Sequence, residues 1–192
     1  MTRLCLVRHA QTDWNLQARW QGQADQLLNA AGRLQVRQLA AELSVERFDA
    51  IYSSDLRRAL ATARVVARSH NLRVIREPRL RELDLGAWEG LLGYEIPGLY
   101  PAEWAERQRD PFHSRPPGGE SVFDLAQRIL PVFDELCARH PHGSLLIVSH
   151  GLLLSVYLCH LRGLPLEAAY SNLPENAHPI FVIVEPDGRC PL

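Results

Sequence analysis

The 192-residue sequence contains no lysine; all 21 cationic side chains are arginines. Chemistry that needs an ammonium group is therefore closed to it: Schiff bases, pyridoxal catalysis, and the lysines of P-loop NTPases and kinases. Any phosphate or carboxylate it holds must be held by arginine, histidine, amides or helix N-termini, and arginine is the better planar, two-pronged partner. Net charge is also nearly absent, at −1. A neutral chain has no global electrostatic pull toward nucleic acid or an anionic membrane. Long apolar runs are missing as well. The N-terminal run, residues 4–7, is too short for a signal segment or a membrane span. The four cysteines (Cys5, Cys137, Cys159 and Cys190) form no C-x-x-C pair. Cys5 and Cys159 lie inside apolar runs, as buried free thiols do. A cytoplasmic chain with reduced thiols is expected. His140-Pro141-His142 has no cysteine or carboxylate beside it and reads as an exposed helix end, so no metal site is expected.

What remains is the composition of a soluble globular domain, 46% apolar and 22% charged. Residues 4–7 are a continuous apolar run ending at Arg8-His9, the pattern of a buried parallel strand. Residues 50–52 and 144–148 repeat it, ending at Ser53-Ser54 and Ser149-His150-Gly151. Weaker strands are expected at 72–75 and 180–184. Helical spacing covers 30–43, 56–69, 121–139 and 152–161. Ser53, Ser54 and Asp55 are candidate N-caps for the second of these, and Pro131 predicts a kink in the third. Residues 16–28 read as a loop. Residues 86–119, rich in proline and aromatics, read as a loop-rich insertion serving as a lid or specificity segment. Strands alternating with helices predict an α/β fold: a three-layer αβα sandwich on a mostly parallel sheet, in one domain over 1–192.

In such a sheet the ligand site lies beyond the C-terminal ends of the strands. Arg8 and His9, Arg57 and Arg58, Glu82, and His150 with Gly151 all follow strands or lie near them. The set suits a phosphoryl group. Arginines offer forks to its oxygens, one histidine can attack in line, another can hydrogen-bond, and a carboxylate can move a proton.

These residues resemble a known family. The segment from Leu6 to Thr12, which holds Arg8-His9, is similar to the Arg-His signature of the histidine phosphatase superfamily, the phosphoglycerate-mutase-like proteins. Ser53 to Ala59 with Thr62, Arg81-Glu82-Leu83 with Gly86 and Trp88-Glu89-Gly90, Pro117 to Ser121, and Val148 to Gly151 resemble its other motifs, in order. The resemblance implies a metal-independent and cofactor-free phosphatase in which His9 attacks phosphorus. Arg8, Arg58 and His150 would clamp the phosphoryl oxygens, and Glu82 would donate and then accept a proton. Asn15, Gln21 and Gly151 would add hydrogen bonds. Arg58 is chosen over Arg57 because it precedes Ala59 as in the family motif. Ala10, Asn29 and His178-Pro179 depart from the pattern; Asn29 remains a good N-cap, and His178-Pro179 leaves the C-terminal wall of the site open.

The substrate is expected to be a small phosphorylated metabolite: glucosyl-3-phosphoglycerate, phosphoserine, alpha-ribazole phosphate, or a broad set. Trp20, Trp88, Tyr94, Arg109 and Arg115 are the specificity candidates. A cofactor-dependent phosphoglycerate mutase is the alternative, disfavoured by chain length, and a non-catalytic binding relative is a second one. The chain is expected to act as a monomer or homodimer, away from nucleic acid and membrane.

Overall fold

Alternation along the central strands decides the layers. In β1 (Thr2–Arg8), Leu4 and Leu6 face one hydrophobic cluster while Cys5 and Val7 face another. β2 (Ala50–Ser53) splits the same way, with Ala50 and Tyr52 against Ile51. So does β4 (Ser144–Ser149), with Leu145 and Ile147 against Leu146 and Val148. A sheet with two apolar faces must be covered twice. β3 (Val74–Arg76) and β5 (Pro179–Val184) complete it in the order β3-β2-β4-β1-β5. β5 alone runs antiparallel. The computed structural model describes residues 1–185; Cys190 lies outside them.

The helices in chain order are α1 (Asp13–Leu16), α2 (Ala30–Leu43), α3 (Arg57–Ser69), α4 (Ile96–Leu99), α5 (Pro101–Arg109), α6 (Val122–Arg139) and α7 (Gly151–Leu161). Leu39 and Leu43 of α2 pack with Ala59, Ala63 and Val66 of α3 on one face. The other face carries α6 and α7, where Phe133 and Tyr157 stack with ring centroids 3.5 Å apart. The α/β sandwich expected from the alternation is what forms. α7 is buried along nearly its whole length, as its continuous apolar sequence demands. Among the described residues, no helix is long and apolar enough to cross a membrane.

Several local expectations change. The polar 16–28 segment is preceded by a helical turn, α1, closed by a capping box between Thr12 and Asn15. The third strand starts two residues late, at Val74. α3 begins at Arg57 with Leu56 as N-cap, so none of Ser53, Ser54 and Asp55 caps it. Asp25 accepts the Arg57 N–H at 2.7 Å instead, while Asp55 is held by Arg81 at 2.7 and 2.5 Å. α6 runs unbroken through Pro131. Pro131 and Gln127 are both exposed, so water can satisfy the carbonyl that the missing N–H leaves free. Residues 86–119 hold α4, α5 and a 3-10 turn at Gly86–Trp88, joined by turns and loop. Proline in the first turn of α4 and of α5 starts helices that apolar spacing did not reveal.

Candidate active site

Three parallel strands end side by side, and the residues that follow them form one polar floor. His9 follows β1 and donates its backbone N–H to Ser149 O at 2.8 Å. Its ring is almost wholly buried, and its tautomer is set from both sides. Nδ1 lies 2.8 Å from the Ala10 carbonyl, which can only accept, so Nδ1 carries the proton. Nε2 accepts from Arg58 Nε at 3.2 Å and so presents a lone pair. Burial first, and then the Arg58 charge, holds this imidazole well below its ordinary pKa of 6.5.

Arg58 sits in the first turn of α3 and is completely buried, whereas Arg57 points to solvent. All three of its guanidinium nitrogens are engaged: Nε on His9, Nη1 on Ala24 O at 2.6 Å, Nη2 on Gly22 O at 2.7 Å. Burial lowers its pKa to about 10, which leaves it charged at neutral pH. Arg8 donates from Nη1 to Pro174 O at 2.9 Å, while its buried Nε has no protein partner. Gly151 gives Arg8 its room, since a Cβ there would lie 3.2 Å from the guanidinium.

Glu82 reaches the site from the irregular stretch after a 3-10 turn, Pro78–Leu80. Its carboxylate accepts from Leu152 N at 3.0 Å, Leu153 N at 3.1 Å and Leu83 N at 2.9 Å. The N-cap residue of α7, His150, offers no side-chain cap, so Glu82 takes that place on the open helix N-terminus. Arg128 fixes the segment behind it. Its guanidinium donates to the carbonyls of Arg79, Arg81 and Glu82 and forks onto Glu120.

His150 lies beneath, fully buried, with its ring centroid 5.2 Å from that of His9. Nε2 shares a hydrogen bond with Ser54 Oγ at 2.8 Å, and Nδ1 has no protein partner. Burial and then Arg58 depress its pKa too. Above the floor, Thr12 Oγ1 lies 2.9 Å from Gln21 Oε1, and Asn15 closes the capping box. Gly22 turns the loop with φ +50°, which aims its carbonyl at Arg58.

Arg8, His9, Arg58, Glu82, Asn15, Gln21 and Gly151 line one cavity of about 230 Å³. Trp20 lines it as well. The remaining specificity candidates do not. Trp88 is buried in the core, its ring 5.7 Å from Trp20 and 6.1 Å from Trp104. Tyr94 is 79% exposed and away from the cavity. Arg109 donates only to its own helix, at Ala105 O. Arg115 forks onto Asp124 at 2.6 and 2.7 Å, on the first turn of α6. Five lining residues went unforeseen: Leu83, Leu85, Leu152, Tyr170 and Leu173. Tyr170 sits on a 3-10 turn, Leu166–Ser171, where no periodicity marks it. Ser54, at the strand end the sequence marks, holds His150, and Asn176, which the sequence does not mark as a site residue, holds the His9 carbonyl. The run of polar residues after β2 was the available signal for Ser54.

Comparison with known proteins agrees with this floor. A family model described as histidine phosphatase superfamily (branch 1) matches residues 4–190. Phosphoserine phosphatase 1 of Hydrogenobacter thermophilus is 37% identical over 177 residues, 92% of this chain and 84% of the relative. A probable phosphoglycerate mutase, GpmB, of Proteus mirabilis is 39% identical over 168 residues, 86% of this chain and 77% of the relative. The crystal structure of the alpha-ribazole phosphatase from Shigella flexneri superposes with a TM-score of 0.91 at 28% identity, over 99% of this chain and 94% of that one.

Proposed function

We propose, because this chain belongs to the histidine phosphatase superfamily, branch 1, that it is a phosphatase of small phosphorylated metabolites working through a phosphohistidine and without a metal. One observation carries the mechanism: His9 is a buried neutral imidazole with its Nδ1 proton on Ala10 O and its Nε2 lone pair at the cavity floor, beside Arg58.

Arg58 Nε–H turns from His9 Nε2 to a phosphoryl oxygen, and the freed Nε2 lone pair attacks phosphorus as the ester P–O bond breaks. Arg8 and Arg58 flank the transferring group and stabilise the charge on its equatorial oxygens. The unpartnered Nε of Arg8 has a donor to spare for them, and His150, which is not among the lining residues, backs the floor behind His9. Glu82, which lines the same cavity, gives a proton to the departing alkoxide. The N–P bond of the intermediate then breaks as water attacks; Glu82 takes a proton from that water, inorganic phosphate leaves and His9 is regenerated. Arginine supplies the positive charge that a divalent ion supplies elsewhere. A floor of guanidinium, imidazole and amide donors with one carboxylate is a poor ligand set for such an ion. Free buried thiols at Cys5 and Cys159 fit a cytoplasmic setting.

Several relatives carry a mutase name. A mutase must also hold the second charged group of its substrate. Arg107, Arg109 and Arg115, the arginines available in sequence for that purpose, are not among the residues that line the cavity, which supports hydrolysis over transfer. The direct test is a rapid quench with a ³²P-labelled phosphomonoester. An acid-labile, base-stable labelled protein, absent in His9→Ala, is the expected result. Turnover without label, or label retained in His9→Ala, overturns the phosphohistidine.

A further inference from the structure

The cavity has two unlike ends. Beyond the residues that meet the phosphoryl group, its wall is Leu83, Leu85, Leu152, Leu173, Trp20 and Tyr170. One cation, Arg19, also reaches it, and two of its three guanidinium nitrogens are already engaged. Arg19 donates from Nη1 to Gly90 O at 2.7 Å and from Nε to Gln17 Oε1 at 3.0 Å, and Glu95 Oε2 lies 4.0 Å away. Behind the wall, the Arg107 guanidinium sits 5.2 Å from the Trp20 ring, 5.9 Å from Trp88 and 5.3 Å from Tyr170, and donates to Tyr170 Oη at 2.8 Å. It braces the two aromatic walls against each other rather than facing the cavity.

We infer that the part of the substrate that leaves is an uncharged alcohol bearing one flat ring, resting on Trp20 and Tyr170; this rests on the phosphatase reading. A carboxylate or second phosphate against this apolar lining would lose water to Leu83, Leu85, Leu152 and Leu173 and meet only Arg19, which is already engaged through Nη1 and Nε, an unfavourable exchange. A ring gains contact and stacking against Trp20 and Tyr170 with nothing to desolvate. At about 230 Å³ the cavity is smaller than the roughly 300–1,000 Å³ of drug-sized sites, so it encloses about one ring beside the phosphoryl group before a ligand extends into solvent. Trp20 and Leu173 are then specificity-determining residues, and Arg107 is a positioning residue that acts through the two rings.

Calorimetry on the wild-type protein with benzylphosphonate and with 4-phosphonobutyrate, neither of which can be hydrolysed, separates this inference from the parent reading. Benzylphosphonate is expected to bind at least tenfold more tightly. Equal affinity, or tighter binding of the carboxylate, overturns the inference whether or not the protein turns over phosphoesters. Benzyl phosphate, 3-phosphoglycerate and phosphoserine are then compared as substrates. All leave as primary alkoxides, so leaving-group acidity does not dominate the ranking, and kcat/KM is expected to follow the binding order, mainly through KM. Failure of all three to release phosphate counts against the phosphatase reading and leaves the binding order standing. Leu173 is 47% exposed, so Leu173→Arg can be made without disturbing the core. It is expected to raise 4-phosphonobutyrate affinity about tenfold, and Trp20→Leu is expected to weaken benzylphosphonate by a similar factor. Unchanged affinities in both variants would remove the assigned wall.

Discussion

Asn176 Nδ2 donates to the backbone oxygen of His9 at 2.7 Å, across 167 residues of chain. With Ala177 N on Arg8 O at 2.9 Å, this bond ties the segment before β5 to the end of β1. It gives the unusual Asn176-Ala177-His178-Pro179 stretch a role. Asn176 holds the nucleophile's backbone, Pro179 starts the antiparallel edge strand, and His178 faces solvent.

Asn176→Ala should therefore lower kcat about tenfold, roughly the 1.4 kcal/mol of one positioned hydrogen bond, with KM little changed and far-UV circular dichroism intact. Unchanged kcat would show that the strand end is held without it.

Arg58 should resist conservative replacement. A lysine offers one point charge where three nitrogens are engaged. Arg58→Lys is expected to lose at least 100-fold in kcat. Arg58→Met leaves the carbonyls of Gly22 and Ala24 without their donor, and should cost about 3 kcal/mol in urea unfolding. A Lys variant with ordinary turnover would show that the fork is dispensable.

Glu82→Gln keeps the shape but cannot move the proton. Alkyl phosphates, with basic leaving oxygens, should slow about 100-fold, and p-nitrophenyl phosphate by less than tenfold. Equal slowing of both would assign the proton elsewhere.

The two buried histidines make stability depend on pH in a definite direction. Both have folded-state pKa values depressed below 6.5. Near and below pH 6.5 the unfolded chain binds protons that the folded chain refuses, so stability falls as pH falls. It is fully present above about pH 7 and declines below 6.5, by up to ~1.4 kcal/mol per pH unit per histidine. Urea midpoints measured at pH 7.5, 6.5 and 5.5 should show the fall, and His150→Asn should flatten it. The same depression keeps Nε2 of His9 unprotonated at pH 6.5, so kcat/KM should show no acid limb there.

Vanadate, a mimic of the five-coordinate phosphoryl group, should inhibit competitively, and EDTA should leave turnover unchanged. Loss of activity in EDTA that added Mg²⁺ or Zn²⁺ restores would require a metal-dependent mechanism instead.

The reacting floor was legible because apolar strands announce their ends. Arg8-His9 and Ser149-His150 follow runs too apolar to be anything but buried strands, and a parallel sheet brings such ends together. The choice of Arg58 over Arg57 needed the family motif, since helical spacing alone leaves both open. The mouth of the cavity was not legible. Tyr170 lies in a 3-10 turn and Leu173 just after it, both without periodicity. Arg115 looked free in sequence, yet it meets Asp124 because the same aspartate closes the capping box with Ser121. Such pairings are made through space by caps and turns, and hydropathy does not record them.

The tryptophans have a spectroscopic consequence. Trp20, Trp88 and Trp104 lie within 6.3 Å of one another, centroid to centroid. Trp14, the fourth and last, packs by Gly90 in the same region. The sheet and its four covering helices contain none. Tryptophan fluorescence therefore watches only the cavity rim and the 86–119 lobe, while far-ultraviolet dichroism watches mainly the sandwich. A ligand can be titrated without a label, and loosening of the lobe can be timed separately from collapse of the sheet.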